Sequence, residues 1–234
     1  MRVLILDADS HLGSALASSF FEVGHEVVLH TRSEYPAFST MSGVEHVVTS
    51  DPAEKLVDWF DSRKAPQCIV FNLKAKDEFG VLRDDGDMEE LITQLSEDLP
   101  GFLRELQAFA LLLARAGEGV IWVLVQEESA AYYVPVPISS IVSKARIAAV
   151  KSIAKEVARF EVKVNAISLQ AYREQLSDGE WKSARDGLKA FALKFKPINA
   201  NEIADTICRL SEVPSLPIVG MVLSLGVGMP EFNI

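Results

Sequence analysis

The residues that could do chemistry begin at the first strand-to-helix turn, L-D-A-D-S-H-L-G-S-A-L over positions 6–16. At such a turn a glycine-rich sequence lets the backbone approach a pyrophosphate resting on the helix N-terminus. Only Gly13 is glycine here. Ser10 and His11 carry side chains where bare backbone would have to come close, and Asp7 and Asp9 put negative charge beside a would-be pyrophosphate. The turn is therefore expected to be an ordinary one, capped by Asp9 or Ser10, with Leu12 and Gly13 as its remaining cofactor-contact candidates. The second strand ends in H-T-R-S-E, which offers Arg32 and no acidic residue for a ribose 2′-hydroxyl. An arginine there suits a 2′-phosphate, so any cofactor would be NADP(H) rather than NAD(H); it suits a solvated loop charge equally well.

The elements that position these residues alternate along the whole chain. Strands are expected at 2–6, 26–30, 44–48, 68–72, 120–125, 162–168 and 218–225, each a continuous apolar run of the kind covered on both faces. Helical patterns fall between them, at 12–23, 52–62, 88–116, 140–159, 178–193 and 200–211. Asp51-Pro52-Ala53-Glu54 supplies an N-cap, a proline at the first helical position and a glutamate in capping-box position. Alternation of this kind predicts an α/β fold: a Rossmann-like, doubly wound three-layer αβα sandwich with a seven-stranded, mostly parallel sheet. With no linker composition and no repeat, one domain over 1–234 is expected.

Composition bounds the function classes. A net charge of −10 argues against a nucleic-acid partner or an anionic membrane surface. Cys68 and Cys208 each sit in an apolar stretch and are expected as buried thiols of a reducing compartment. His11, His25, His30 and His46 show no ligand spacing with the cysteines, so no metal is expected. A strand-like run starts at Arg2, which leaves no room for a signal segment, and no apolar run reaches membrane-spanning length. A cytoplasmic location is the expectation.

The order of elements and several short motifs resemble the short-chain dehydrogenase/reductase family over nearly the whole chain. The family's turn reads T-G-x-x-x-G-x-G, or G-x-x-G-x-x-G in its extended branch; both place glycines at positions 7 and 13, where this chain has Asp7 and Gly13. Val48 falls where the family has an adenine-reading aspartate. I-V-F-N-L-K stands for the family's N-N-A-G segment and keeps Asn72. S-E-D-L-P-G-F-L matches the N-x-x-G stretch, with Asp98 on the asparagine and Gly101 on the glycine. G-V-I-W-V-L-V-Q-E-E-S ends where the family has its catalytic serine, which falls on Gln126 or Glu127; Ser129 would need a shifted loop. S-I-V-S-K matches Y-x-x-x-K, keeping Lys144 and placing Ser140 on the tyrosine. V-N-A-I-S-L-Q and the segment 199–229 complete the match and lie nearest the β-ketoacyl-ACP reductase branch.

The resemblance implies a chemistry that these residues largely lack. In the family the tyrosine phenol exchanges the substrate proton, lysine lowers its pKa and holds the nicotinamide ribose, serine polarises the carbonyl, and asparagine orders a water. A serine hydroxyl is far too weak an acid and too short to stand in for a phenol, so Ser140 is no substitute. Loss of a positioned general acid alone forfeits roughly 10²- to 10⁴-fold in rate. A phenol from Tyr132 or Tyr133 could reach towards Lys144, or Glu127 could serve as an acid if burial raised its pKa. Against these stand the plain readings, an aromatic packing a loop and a solvated carboxylate.

Three function classes follow. One is a pseudoenzyme that keeps the Rossmann-like sheet, binds no NADP(H) or binds it weakly, and works by binding or assembly. Another is an active NADP(H)-dependent ketoreductase with a non-standard proton donor. The last is a ligand sensor using the crevice at the strand C-termini. The 88–116 and 140–159 helices are apolar well beyond one core-facing stripe, which suits self-association as dimer or tetramer or pairing with an intact homologue. The resemblance implies the same: these helices form the family's usual dimer interface, and its last strand a second one.

Overall fold

A computed structural model describes residues 1–35, 38, 43–73, 88–127, 140–188, 196–213 and 217–226. The strands are β1 (Arg2–Leu6), β2 (Glu26–Thr31), β3 (Glu45–Val48), β4 (Cys68–Phe71), β5 (Gly119–Gln126), β6 (Val162–Leu169) and β7 (Val222–Leu225). They form one sheet in the order β3-β2-β1-β4-β5-β6-β7. Every neighbouring pair is parallel, so the expected "mostly parallel" sheet is parallel throughout. Strand order reverses beside β1, between β2 and β4, which places a crevice at the C-terminal ends of those strands.

Among the described residues there are six α-helices: α1 (His11–Glu22), α2 (Pro52–Asp61), α3 (Met88–Ala116), α4 (Ser140–Val157), α5 (Asp178–Leu188) and α6 (Ala200–Ser211). Successive strand residues point to opposite faces, and the buried residues divide accordingly. Val3, Ile5, Leu29, Val70, Trp122 and Leu124 pack with α1 and α6 on one face. Leu4, Leu6, Val28, Ile69, Phe71 and Val123 pack with α2, α3 and α4 on the other. The result is the three-layer αβα sandwich.

Local chemistry fixes the ends of elements. Asp51 Oδ1 accepts from the Glu54 N–H at 3.3 Å and Pro52 opens α2, as the sequence signature predicts. Asn199 and Glu202 form a full capping box on α6. Two described boundaries differ from expectation by two residues or more, and the other described ones by at most one. β7 starts at Val222 rather than 218, because Gly220 takes φ 68° and its N–H turns to Val164 O. The buried Asn165 braces that bend, donating to Ile218 O and accepting from the Met221 N–H. α4 ends at Val157 and tightens into a 3-10 turn over Ala158–Phe160, closed by Glu161 at φ 58°.

Candidate functional site

The site is built where β1 and β4 end, α1 begins, and α3 and α4 pass behind. Asp7, the first residue past β1, adopts φ 52°, a left-handed conformation that favours glycine. Its carboxylate is buried and accepts from Arg32 Nε at 2.9 Å. Arg32 Nη2 donates to the buried Glu105 of α3 at 2.8 Å, and Nη1 to Ser50 O at 3.1 Å. All three nitrogens of the guanidinium are therefore used within the chain. Desolvation works against the charge on Arg32, yet the carboxylates of Asp7 and Glu105 outweigh it and raise its pKa.

A second cation lies behind this pair. Arg146 stands on the buried stripe of α4, between Val142 and Val150, and is only 7% exposed. Its guanidinium lies over the Phe102 ring at 4.9 Å, and its Nε is buried without a hydrogen-bond partner. Burial pushes its pKa below the ordinary guanidinium value, and the carboxylates of Asp98, Asp7 and Glu105 oppose that shift. Sequence reasoning missed both Glu105 and Arg146. For Arg146 a signal existed: a cation at a position where a spacing of four residues demands an apolar one.

The turn itself is closed by its own side chains. Ser10, not Asp9, is the N-cap of α1: its Oγ accepts from the Gly13 N–H at 3.0 Å and from Asn72 Nδ2 at 2.9 Å. Asn72 Nδ2 also donates to Asp7 O at 2.9 Å, so this asparagine knits the ends of β1 and β4 to the turn. Gly13 lies against the Ala8 backbone, and Leu12 is wholly buried in the core beneath α1. Behind the turn, the Asp7 N–H donates to His30 Nδ1 at 3.3 Å, and the opposite ring nitrogen, Nε2, contacts Thr49 O at 2.9 Å. Those partners require the neutral Nε2–H tautomer, and desolvation accordingly lowers the His30 pKa.

The other expected residues are spread around the C-terminal ends of the sheet. Gln126 is buried, with its amide nitrogen donating to Leu169 O at 2.8 Å and its oxygen accepting from Gln175 at 2.7 Å. Glu127 is buried as well, rather than solvated, and accepts from Gln170 Nε2 at 3.3 Å. Asp98 on α3 is half-buried, Ser140 opens α4 half-buried, and Lys144 one turn later is exposed. Val48, at the end of β3, is also exposed. Tyr132, Tyr133 and Ser129 lie outside the described residues.

No protein-family model matches the sequence. No curated protein matches it either. Solved structures do match in shape. The chain is similar to a dehalogenation enzyme at 19% identity and TM-score 0.78, covering 96% of each chain. It is similar to the Cj0485 dehydrogenase at 16% identity and TM-score 0.76, covering 95% of this chain and 91% of that one. It also resembles a protein described as a 3-oxoacyl-reductase, from Bacillus thuringiensis, at 15% identity and TM-score 0.67, covering 96% and 95%. These likenesses give the chain the fold of the short-chain dehydrogenases and reductases, and at such identities they speak for the fold alone.

Proposed function

We propose that this protein is a degenerate relative of the short-chain dehydrogenases and reductases that acts by binding or assembly, with the hydride-transfer chemistry lost. The observation that carries the proposal is the commitment of Arg32 to Asp7 and Glu105. A cation that would neutralise a 2′-phosphate is already neutralised from within, and moving it would break its ion pairs with two buried carboxylates. The rest of the corner points the same way. A nicotinamide dinucleotide fits these residues poorly: Ser10 caps the helix N-terminus that would hold its pyrophosphate, and Asp7 adds negative charge beside it.

The catalytic positions support the same reading. The residue aligned with the proton donor is Ser140, and the carbonyl polariser falls on Gln126, whose amide is spent on Leu169 and Gln175, or on Glu127, a buried carboxylate that accepts from Gln170. Lys144 keeps its place but has no phenol four residues before it to act upon.

Cofactor titration with a turnover assay tests the proposal. NADPH affinity weaker than about 100 μM, with no carbonyl reduction on ACP, CoA or simple ketone substrates, is the expected result. Low-micromolar binding without turnover would favour a ligand sensor. NADPH consumption that vanishes in Tyr133→Phe and survives Ser140→Ala would favour an active reductase with a rearranged acid.

A further inference from the structure

Away from the crevice, at the opposite edge of the sheet, three metal-ligating side chains meet that are far apart in the sequence. His25 lies in the turn between α1 and β2, Cys208 in the last turn of α6, and Glu212 at the C-cap of that helix. One ligand atom from each lies within 4.8 Å of the other two. His25 Nε2 and Glu212 Oε1 are already 3.2 Å apart. Tetrahedral zinc at ordinary bond lengths spaces its ligand atoms about 3.3–3.6 Å apart, so the set needs a closure of roughly 1.5 Å at most.

We propose that His25, Cys208 and Glu212 form a zinc-type divalent-metal site whose fourth position opens on the cavity at the N-terminal edge of the sheet. That cavity, about 420 Å³, is lined by Met1, Gln67, Gly119 and Lys163, which lie at the starts of β1, β4, β5 and β6, and by His25 and Glu212 themselves. Water drawn from it completes the coordination.

Two features of the site favour a cation. The imidazole Nε2 is buried and faces Glu212 Oε1 at 3.2 Å, with no well-formed hydrogen bond to it. Finally, Glu212 sits at a helix C-terminus, where the backbone already carries partial negative charge and a carboxylate is unfavourable unless a cation joins it. Arg209 is the cation that α6 itself supplies nearby.

The chemistry of the donors selects the ion. Sulfur, imidazole nitrogen and one carboxylate suit zinc and disfavour magnesium or calcium. Binding forms the Zn–S bond as the thiol proton passes to solvent. The site shares no residue with the crevice, so its fate is separate from that of the proposed function.

Titration of the intact chain with Co²⁺ and with Zn²⁺ tests the site. The expected result is one equivalent bound, with a thiolate-to-cobalt charge-transfer band that disappears in Cys208→Ser and persists in Cys68→Ser. Glu212→Gln and His25→Gln should each weaken zinc binding about ten-fold or more. Glu212 is exposed, so its substitution leaves the fold intact and decides the matter even if Cys208→Ser fails to fold. No stoichiometric binding, binding unchanged in both Glu212→Gln and His25→Gln, or a band that follows Cys68 would overturn the proposal.

Discussion

A Cβ added to Gly13 would lie 2.0 Å from the carbonyl oxygen of Ala8. The first turn of α1 is pressed so closely on the residues leaving β1 that only glycine fits between them. This contact accounts for the one turn glycine the sequence keeps: close helix–strand packing needs it whether or not a nucleotide binds.

Gly13→Ala is accordingly expected to destabilise the fold by at least about 1–3 kcal/mol, because the atom it meets is backbone and cannot swing aside. Denaturant unfolding compared with wild type measures this. An unchanged midpoint would mean that helix and strand separate easily and that the glycine has another purpose.

The second prediction concerns the Arg32 network. Glu105→Gln removes a buried charge partner, and because Arg32 is partly exposed the cost should be about 1–2 kcal/mol rather than that of a fully buried pair. Asp7→Gly should act differently. It removes a carboxylate from the mouth of the crevice, releases Arg32 Nε, and places glycine at φ 52° where glycine is at ease. NADPH binding by Asp7→Gly should tighten about three- to ten-fold over wild type in a fluorescence titration. Unchanged affinity would show that Asp7 does not guard the site.

Stability should also depend on pH through His30. Its native pKa lies below the ordinary 6.5 because burial disfavours the imidazolium. Between those two values the unfolded chain takes up a proton that the folded chain refuses. Stability from this residue is therefore fully present above about pH 6.5 and is lost as pH falls towards the lowered native value. Thermal unfolding compared at about pH 7.5 and pH 5.5 should show a fall that is smaller in His30→Gln. Equal slopes in the two proteins would contradict the assignment of His30 as buried and neutral.

The elements were legible because their signals are local. The apolar run Arg2–Leu6 and the helix Ala200–Ser211 fall on the expected residues, and the cap at Asp51 announces α2. β7 was overextended because I-V-G-M reads as continuous strand, while the turn at Gly220 depends on Asn165, a partner in the neighbouring strand. The candidate site was legible only in part, for the same reason. Arg32 was visible as a cation at the end of β2, but its partner Glu105 is 73 residues away and looks like one more charge on a long helix. The meeting of His25, Cys208 and Glu212 left no trace in spacing, since α6 brings the latter two to His25 only after the fold closes.

The last prediction concerns assembly. α3 and α4 each turn buried residues inward, among them Leu106, Phe109 and Leu113 on the first and Val142, Val150 and Ala154 on the second. Apolar side chains remain outside this core-facing stripe. Ile92, Leu103 and Leu111 on α3, and Ile141 on α4, are all at least 41% exposed. Their spacing places the α3 residues along one helical stripe, which suits contact with a second helix pair across a two-fold axis. Ala149 is a poor position for a test charge, because it is half-buried against the core and a glutamate there would strain the fold and the seam together. Leu111 and Ile141 are better choices, being exposed in the single chain. Light scattering is expected to give at least twice the chain mass for wild type at micromolar concentration. Leu111→Glu and Ile141→Glu should shift dissociation to concentrations about ten-fold higher or more, with unfolding midpoints little changed. A stable interface needs roughly 1,200 Å² or more of buried surface, which two long helices from each copy can supply. A wild-type chain that is folded, monomeric and recovered without a partner from its native source would overturn the assembly, and would remove the main support for a role through association.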